Sequence, residues 1–234
     1  MNIKFDPYSI YARIFPTIIT SIPFLFFQYF YLSPELNKFL TNLITIQWVG
    51  HITLSVAAIY FLSQLNRTIG KDIFEQWYFS DEGKLPTTNL LLQSNGYYSD
   101  EFKNKIWQKI KLDFDLDLST SNSHFSEHAQ RQKVVEAVGL IRRKVGSGTL
   151  LMQHLIEYGF ARNLIGGSVI SFIVSVVCAA LFYGNSPSLF KTSIVLSLGY
   201  LLVVLFSYPI LHRKGKLYAK ILFQEYLLLR NTKK

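Results

Sequence analysis

Asp113, Asp115 and Asp117 alternate with Phe114, Leu116 and Leu118, and alternating acidic side chains are how a calcium loop begins. Leu118 stands where that loop needs glycine and His124 where it needs the bidentate glutamate, so the spacing reads as one polar face of an extended segment. His124 and His128 have the i, i+4 spacing of a shared metal ion, but no third ligand accompanies them. No HExxH, GxSxG, CxxC or phosphate-loop pattern occurs, and no nucleophile pairs with a base. The chain therefore reads as a non-enzyme with no cofactor and no metal.

Two polar groupings remain. Arg142, Arg143 and Lys144, with Arg131 and Lys133, could gather phosphate groups, since arginine presents a bidentate fork. The alternative is a solvated helix end whose cations complement the macrodipole. Tyr158, Arg162 and Asn163 share one helical face at the edge of an uncharged run. They read either as a topology anchor or as the point where a change outside the membrane is coupled to the spans.

The elements that would position these groups are mostly apolar. Half of the 234 residues are hydrophobic, and the mean hydropathy is positive. The apolar residues cluster in four runs: Ile14–Leu32, Leu43–Leu65, Leu164–Tyr183 and Ser193–His212. Each has about 20 residues, enough for a hydrocarbon core of ~30 Å. The expected fold is all-α, a polytopic membrane protein with four transmembrane helices. Asp6, Pro7 and the length of the first run argue against a cleaved signal.

Lys4, Arg13, Arg67, Lys71, Arg162, Arg213, Lys214, Lys216 and Lys220 flank one side, against Lys38 and Lys191 on the other. The positive-inside rule then places both termini and the central segment in the cytoplasm. Residues 66–162 are nearly neutral. The net charge of +9 thus sits mainly around the runs, where it suits anionic membrane lipid and is not in itself a nucleic-acid signature. The single cysteine, Cys178, lies inside the third run and excludes a disulfide framework.

Helical spacing continues past the second run through "NRTIGKDIFEQWYF" until Gly83 and Pro86 interrupt it. Ser99 is positioned to cap a helix with Phe102, Ile106 and Ile110 on one face, and Ser126 another with Val134, Val138 and Ile141. The C-terminal segment is amphipathic through Leu217, Ile221, Tyr226 and Leu229. The expected domains are an N-terminal transmembrane hairpin (1–65), a cytoplasmic helical domain (66–162), a second hairpin (163–212) and a basic amphipathic helix (213–234). In the third run Gly167, Ser171, Ser175 and Ala179 recur every four residues. That ridge suits tight helix packing, oligomerisation or a mildly polar pore wall.

"EQWYFSDEGKLPTTNLL" and "QHLIEYGFARNLIGG" together resemble the Trp-Gly-Gly-x-Pro-Thr-Thr and Tyr-Gly-Phe-x-Arg-Asn segments of a group of bacterial four-span membrane proteins. The sequence departs from that pattern with "YFSDEG" after Trp77, His154 near an expected asparagine and Ala161 for a basic residue. Some of that group resemble the membrane effectors of Hailong-type antiphage defence. The resemblance implies an oligomeric channel held by a nucleotide or single-stranded DNA oligomer from a partner nucleotidyltransferase, opening to depolarise the cell. It adds Trp77, Thr87 and Thr88 to the coupling residues, and Arg162 to the ligand-binding ones. Uncharged spans make a poor pore as a monomer, so a homo-oligomer, simplest as a tetramer, is expected. The rival expectation is a non-catalytic anchor recruiting a cytoplasmic enzyme.

Overall fold

The computed structural model describes residues 6–32, 47–79, 82–118, 127–146 and 148–229, and the side chains of these except 32 and 47–55. Among the described residues the chain is all-helical. Among the described residues three helices are long and apolar enough to cross a membrane: α1 (Pro7–Tyr31), α7 (Thr149–Phe182) and α8 (Pro187–Leu205). The start of the second apolar run lies outside the described residues, and its remainder forms α2 (Gln47–Thr68). Ser126 and His124 also lie outside them.

The chain divides into two compact units. The first comprises residues 1–74 and 159–208. Asp6 caps its first helix, Oδ1 accepting the Tyr8 N–H at 3.2 Å, and Pro7 occupies the first helical position, where its missing N–H costs nothing. Both α1 and the continuation of α2 contain widened turns, at Ile10–Ile14 and Ile69–Glu75. The helical continuation expected past the second run is present, with a π-helical stretch at Ile69–Glu75. Such one-residue expansions are rare and tend to occur at functional positions.

The fourth apolar run is also divided differently from the expectation of 193–212. Pro187 starts α8 early, and the helix stops at Phe206 (φ −91°, ψ 13°), after which α9 (Ser207–Leu228) begins. Pro209 explains the break: it has no N–H for the carbonyl of Leu205, four residues back, and its ring would collide with it.

The second unit comprises residues 75–158 and 209–234. It contains α3 (Gln76–Phe79), α4 (Pro86–Asn89), α5 (Asp100–Phe114) and α6 (Glu127–Val145), with most of α9. Ser99 caps α5 by accepting the Phe102 N–H at 3.3 Å, Asp100 and Glu101 fill the first turn, and Asp115 ends the helix in the left-handed region. Gly146, with φ +70°, follows α6. Ile106 and Ile110 from α5 join Ala137, Val138 and Ile141 from α6, and Leu222, Phe223 and Tyr226 from α9, in one core. Each large apolar side chain fully buried there stabilises the unit by about 1.5–3 kcal/mol. Along α9 the buried stripe runs through Tyr218, Ala219, Leu222, Phe223 and Tyr226, with Leu217, Ile221 and Leu229 at its edge. Of the stripe expected from the sequence only Tyr226 is fully buried, so the buried face is rotated from the one the spacing of Leu217, Ile221 and Leu229 suggested.

Candidate functional site

The first unit encloses its polar groups, and proline chemistry explains where they go. Within an α-helix the carbonyl of residue i accepts from the N–H of i+4, which proline lacks. Pro16 therefore leaves the Ala12 carbonyl without its α-helical donor, and Pro23 does the same to Ile19. In a lipid-facing bundle such a group must be satisfied by a neighbouring helix. Asn163 Nδ2 of α7 donates to the Ala12 carbonyl at 2.5 Å, and the Tyr200 hydroxyl of α8 donates to the Ile19 carbonyl at 2.6 Å.

Between these two points lies a third polar contact. Asn66 of α2 donates through Nδ2 to Thr20 Oγ1 at 2.8 Å and lies 3.3 Å from Thr17 Oγ1. Ser171 Oγ donates to the Thr20 carbonyl at 2.5 Å. Asn66, Asn163, Thr17, Thr20 and Ser171 are all buried. The acceptor oxygens of both amides, Asn66 Oδ1 and Asn163 Oδ1, have no hydrogen-bond donor among the described residues. Leaving such an oxygen dry costs on the order of 1–3 kcal/mol.

The small-residue ridge belongs to this same interior. A Cβ on Gly167 would meet the Asn66 side chain at 2.6 Å, Ser175 donates to the Ser171 carbonyl at 2.7 Å, and Ala179 is buried. Gly159 faces Tyr8 and Ala12, and Gly70 meets the carbonyl of Arg162. The ridge is thus the contact surface of α7 within one chain. Asn66→Leu is expected to lower stability by about 2 kcal/mol, because Thr17 and Thr20 lose their partner inside the bundle. The shift of the thermal midpoint in detergent measures this; an unchanged midpoint would remove the polar contact from the account.

In the second unit the proline–threonine segment forms α4, a single turn that closes back on the preceding loop. Thr88 Oγ1 donates to the Glu82 carbonyl and Asn89 Nδ2 to the Lys84 carbonyl, each at 2.8 Å. Arg131 donates through Nη1 to the Gly83 carbonyl and to Asn89 Oδ1, both at 2.8 Å, and pairs with Glu127 at 2.9 Å. Arg142 lies over the Tyr218 ring and within 3.4 Å of Thr87 Oγ1. A Cβ on Gly215 would meet Pro86 at 3.0 Å and the Tyr158 ring at 3.3 Å. Pro86 and Tyr158, from two distant sequence segments, thus converge on Gly215. Glu157 and Lys214 pair at 2.8 Å.

The five cations expected to bind ligand that lie in the second unit do not form one open cluster. Arg131 and Arg142 are committed as described, and Lys144 pairs with Asp113 at 2.7 Å. Lys133 lines a cavity of about 30 Å³ with Gln93, Trp107 and Gln130, Arg143 is exposed, and Arg162 belongs to the first unit. Of the coupling residues, Thr87, Thr88, Tyr158 and Asn163 are buried, while Trp77 is 74% exposed and stacked on Tyr78. Tyr200, Asn66, Thr17 and Thr20 were not singled out from sequence. For Tyr200 the signal was present, since a proline inside a long apolar helix leaves a carbonyl that needs a donor from elsewhere; nothing in the spacing marked Asn66, Thr17 or Thr20.

Asp113 itself, 6% exposed, accepts from Lys144 and from the Tyr226 hydroxyl at 2.8 Å. Burial favours its protonated form, but the Lys144 and Tyr226 hydrogen bonds outweigh burial and hold the carboxyl below its ordinary value. With a folded value below the unfolded one, the stabilisation is present above about pH 4 and is lost as pH falls through the depressed value. Asp113→Asn should flatten the decline of the thermal midpoint below that pH. An unaltered acid limb would show that the pair contributes nothing.

Comparison of the chain with protein-family models, curated proteins and solved structures finds no match.

Proposed function

We propose that the protein is a bacterial inner-membrane effector, an oligomeric four-span channel whose cytoplasmic helical domain is gated by a nucleotide or DNA oligomer made by a partner nucleotidyltransferase. The observation that supports it best is the pair of buried amide oxygens, Asn66 Oδ1 and Asn163 Oδ1, which have no donor among the described residues of a bundle of apolar helices. Polar groups inside spans are functional candidates, and these would gain hydrogen bonds from water in an opened state. The basic residues around the runs support a cytoplasmic central segment, and the resemblance of the proline–threonine and Tyr-Gly-Phe-x-Arg-Asn segments supports a nucleotide or DNA ligand. Tyr158 and Asn163 would couple ligand occupancy to span packing.

Purified full-length protein in liposomes should pass ions, and an added short DNA oligomer should change the flux. Liposomes that stay sealed with and without oligomer sink the proposal. A second reading, a non-conducting anchor that recruits an enzyme, is favoured by the internal commitment of Arg131, Arg142 and Lys144. Size exclusion and pull-down separate the two, because the anchor needs a protein partner and no oligomer.

A further inference from the structure

The loop before α5 is built with unusual investment. Lys103, fully buried on α5, donates to the carbonyls of Gln93 at 3.2 Å and Asn95 at 2.9 Å, and among the described residues the carboxylate it meets is Asp100 at 3.2 Å, on the surface. Burying an ammonium is costly unless its donors are used, and here they hold a surface loop in shape. Asn95 Oδ1 then accepts the Tyr97 N–H at 2.9 Å, and Tyr98 packs its ring against Phe102 and Phe223. What this fixed loop displays is Tyr97, 43% exposed.

Two lysines of α9, one turn apart, meet that ring. Lys216 Nζ lies 4.0 Å from its centroid and Lys220 Nζ 5.7 Å. Among the described residues neither ammonium has a carboxylate within ion-pair distance. Two like charges of α9 thus stand beside one aromatic ring presented by a hydrogen-bonded loop. The Lys220 ammonium, hydrogen-bonded to the Tyr97 hydroxyl, also draws the phenol below its ordinary value, a sign of the positive potential there.

We propose that Tyr97, Lys216 and Lys220 form a binding site for a phosphate group, either the headgroup of an anionic lipid or the phosphodiester of a soluble oligonucleotide. Two ammonium groups supply charge-assisted donors to phosphate oxygens, and the exposed ring offers an apolar face to whatever carries the phosphate. The site lies within the second unit and does not depend on whether the protein conducts ions.

The test is amine-reactive labelling of the full-length protein in nanodiscs, read lysine by lysine by mass spectrometry. One arm compares phosphatidylcholine discs with discs containing phosphatidylglycerol; the other adds a short oligothymidylate to phosphatidylcholine discs. Labelling of Lys216 and Lys220 should fall about threefold in one arm, as two-thirds occupancy requires. Lys105, exposed and paired with Glu101, should not change. Protection in the first arm alone assigns a lipid headgroup, and in the second alone a soluble phosphodiester. Tyr97→Leu should weaken the protection without moving the thermal midpoint, since the side chain is exposed. No protection in either arm, or equal protection in Tyr97→Leu, overturns the proposal.

Discussion

Gly166→Ala should collapse the first unit, although alanine is normally the better helix former by about 1 kcal/mol. The added Cβ would stand 2.2 Å from the Asn66 carbonyl oxygen, 2.6 Å from the Gly70 nitrogen and 3.0 Å from the Gly70 Cα. All three are backbone atoms, so no rotamer change relieves the collision and the two helices must separate. Overpacking costs typically 1–3 kcal/mol where side chains can adjust, and a backbone clash belongs at or above about 3 kcal/mol. Separation would also take Asn66 away from Thr17 and Thr20, adding the loss of that contact. Gly199→Ala is the matched control, since a Cβ there meets nothing within 4 Å. In detergent, fluorescence-detected size exclusion after heating should show Gly199→Ala like the parent and Gly166→Ala aggregated. If both behave like the parent, the close approach of α2 and α7 is not what holds this unit.

This close approach was legible only in part. The small-residue ridge of the third run announced tight packing, but periodicity cannot say whether it faces its own chain or another copy. The capping serine and apolar stripe of α5 were readable because they are local, set by Ser99, Ile106 and Ile110 alone. The π-helical turns were not, since a one-residue expansion leaves no mark in an apolar run. Nor was the fate of the cations. Arg131, Arg142 and Lys144 look like a phosphate cluster along the chain, yet each is turned to a partner contributed by a segment more than 30 residues away or by a ring across the core. Lys103 and Lys216 show the same limit from the other side. One is a surface-type residue that the fold buries; the other looked like a topology marker until α9 placed it on Tyr97.

Asn163 yields the sharpest prediction, because its partner carbonyl was freed by a proline. Asn163→Ala removes the donor from the Ala12 carbonyl, and the loss should be about 2 kcal/mol, the usual penalty for a buried carbonyl left alone. In a Pro16→Ala background residue 16 regains an N–H, the helix can satisfy Ala12 itself, and the same Asn163 change should cost well under 1 kcal/mol. Coupling energies of hydrogen bonds inside membrane proteins average about 0.6 kcal/mol, with a maximum near 1.7. That average is low because the separated helices find other partners. Here α1 cannot offer one in α-helical register even when isolated, so the coupling should lie above about 1 kcal/mol. Tyr200→Phe with Pro23→Ala forms a second, independent cycle on the Ile19 carbonyl. Midpoints of the four proteins in each cycle, measured in one detergent, give both coupling energies. Additive effects in both cycles would mean that the prolines do not set these bonds, and that Asn163 is a boundary residue with no special tie to α1.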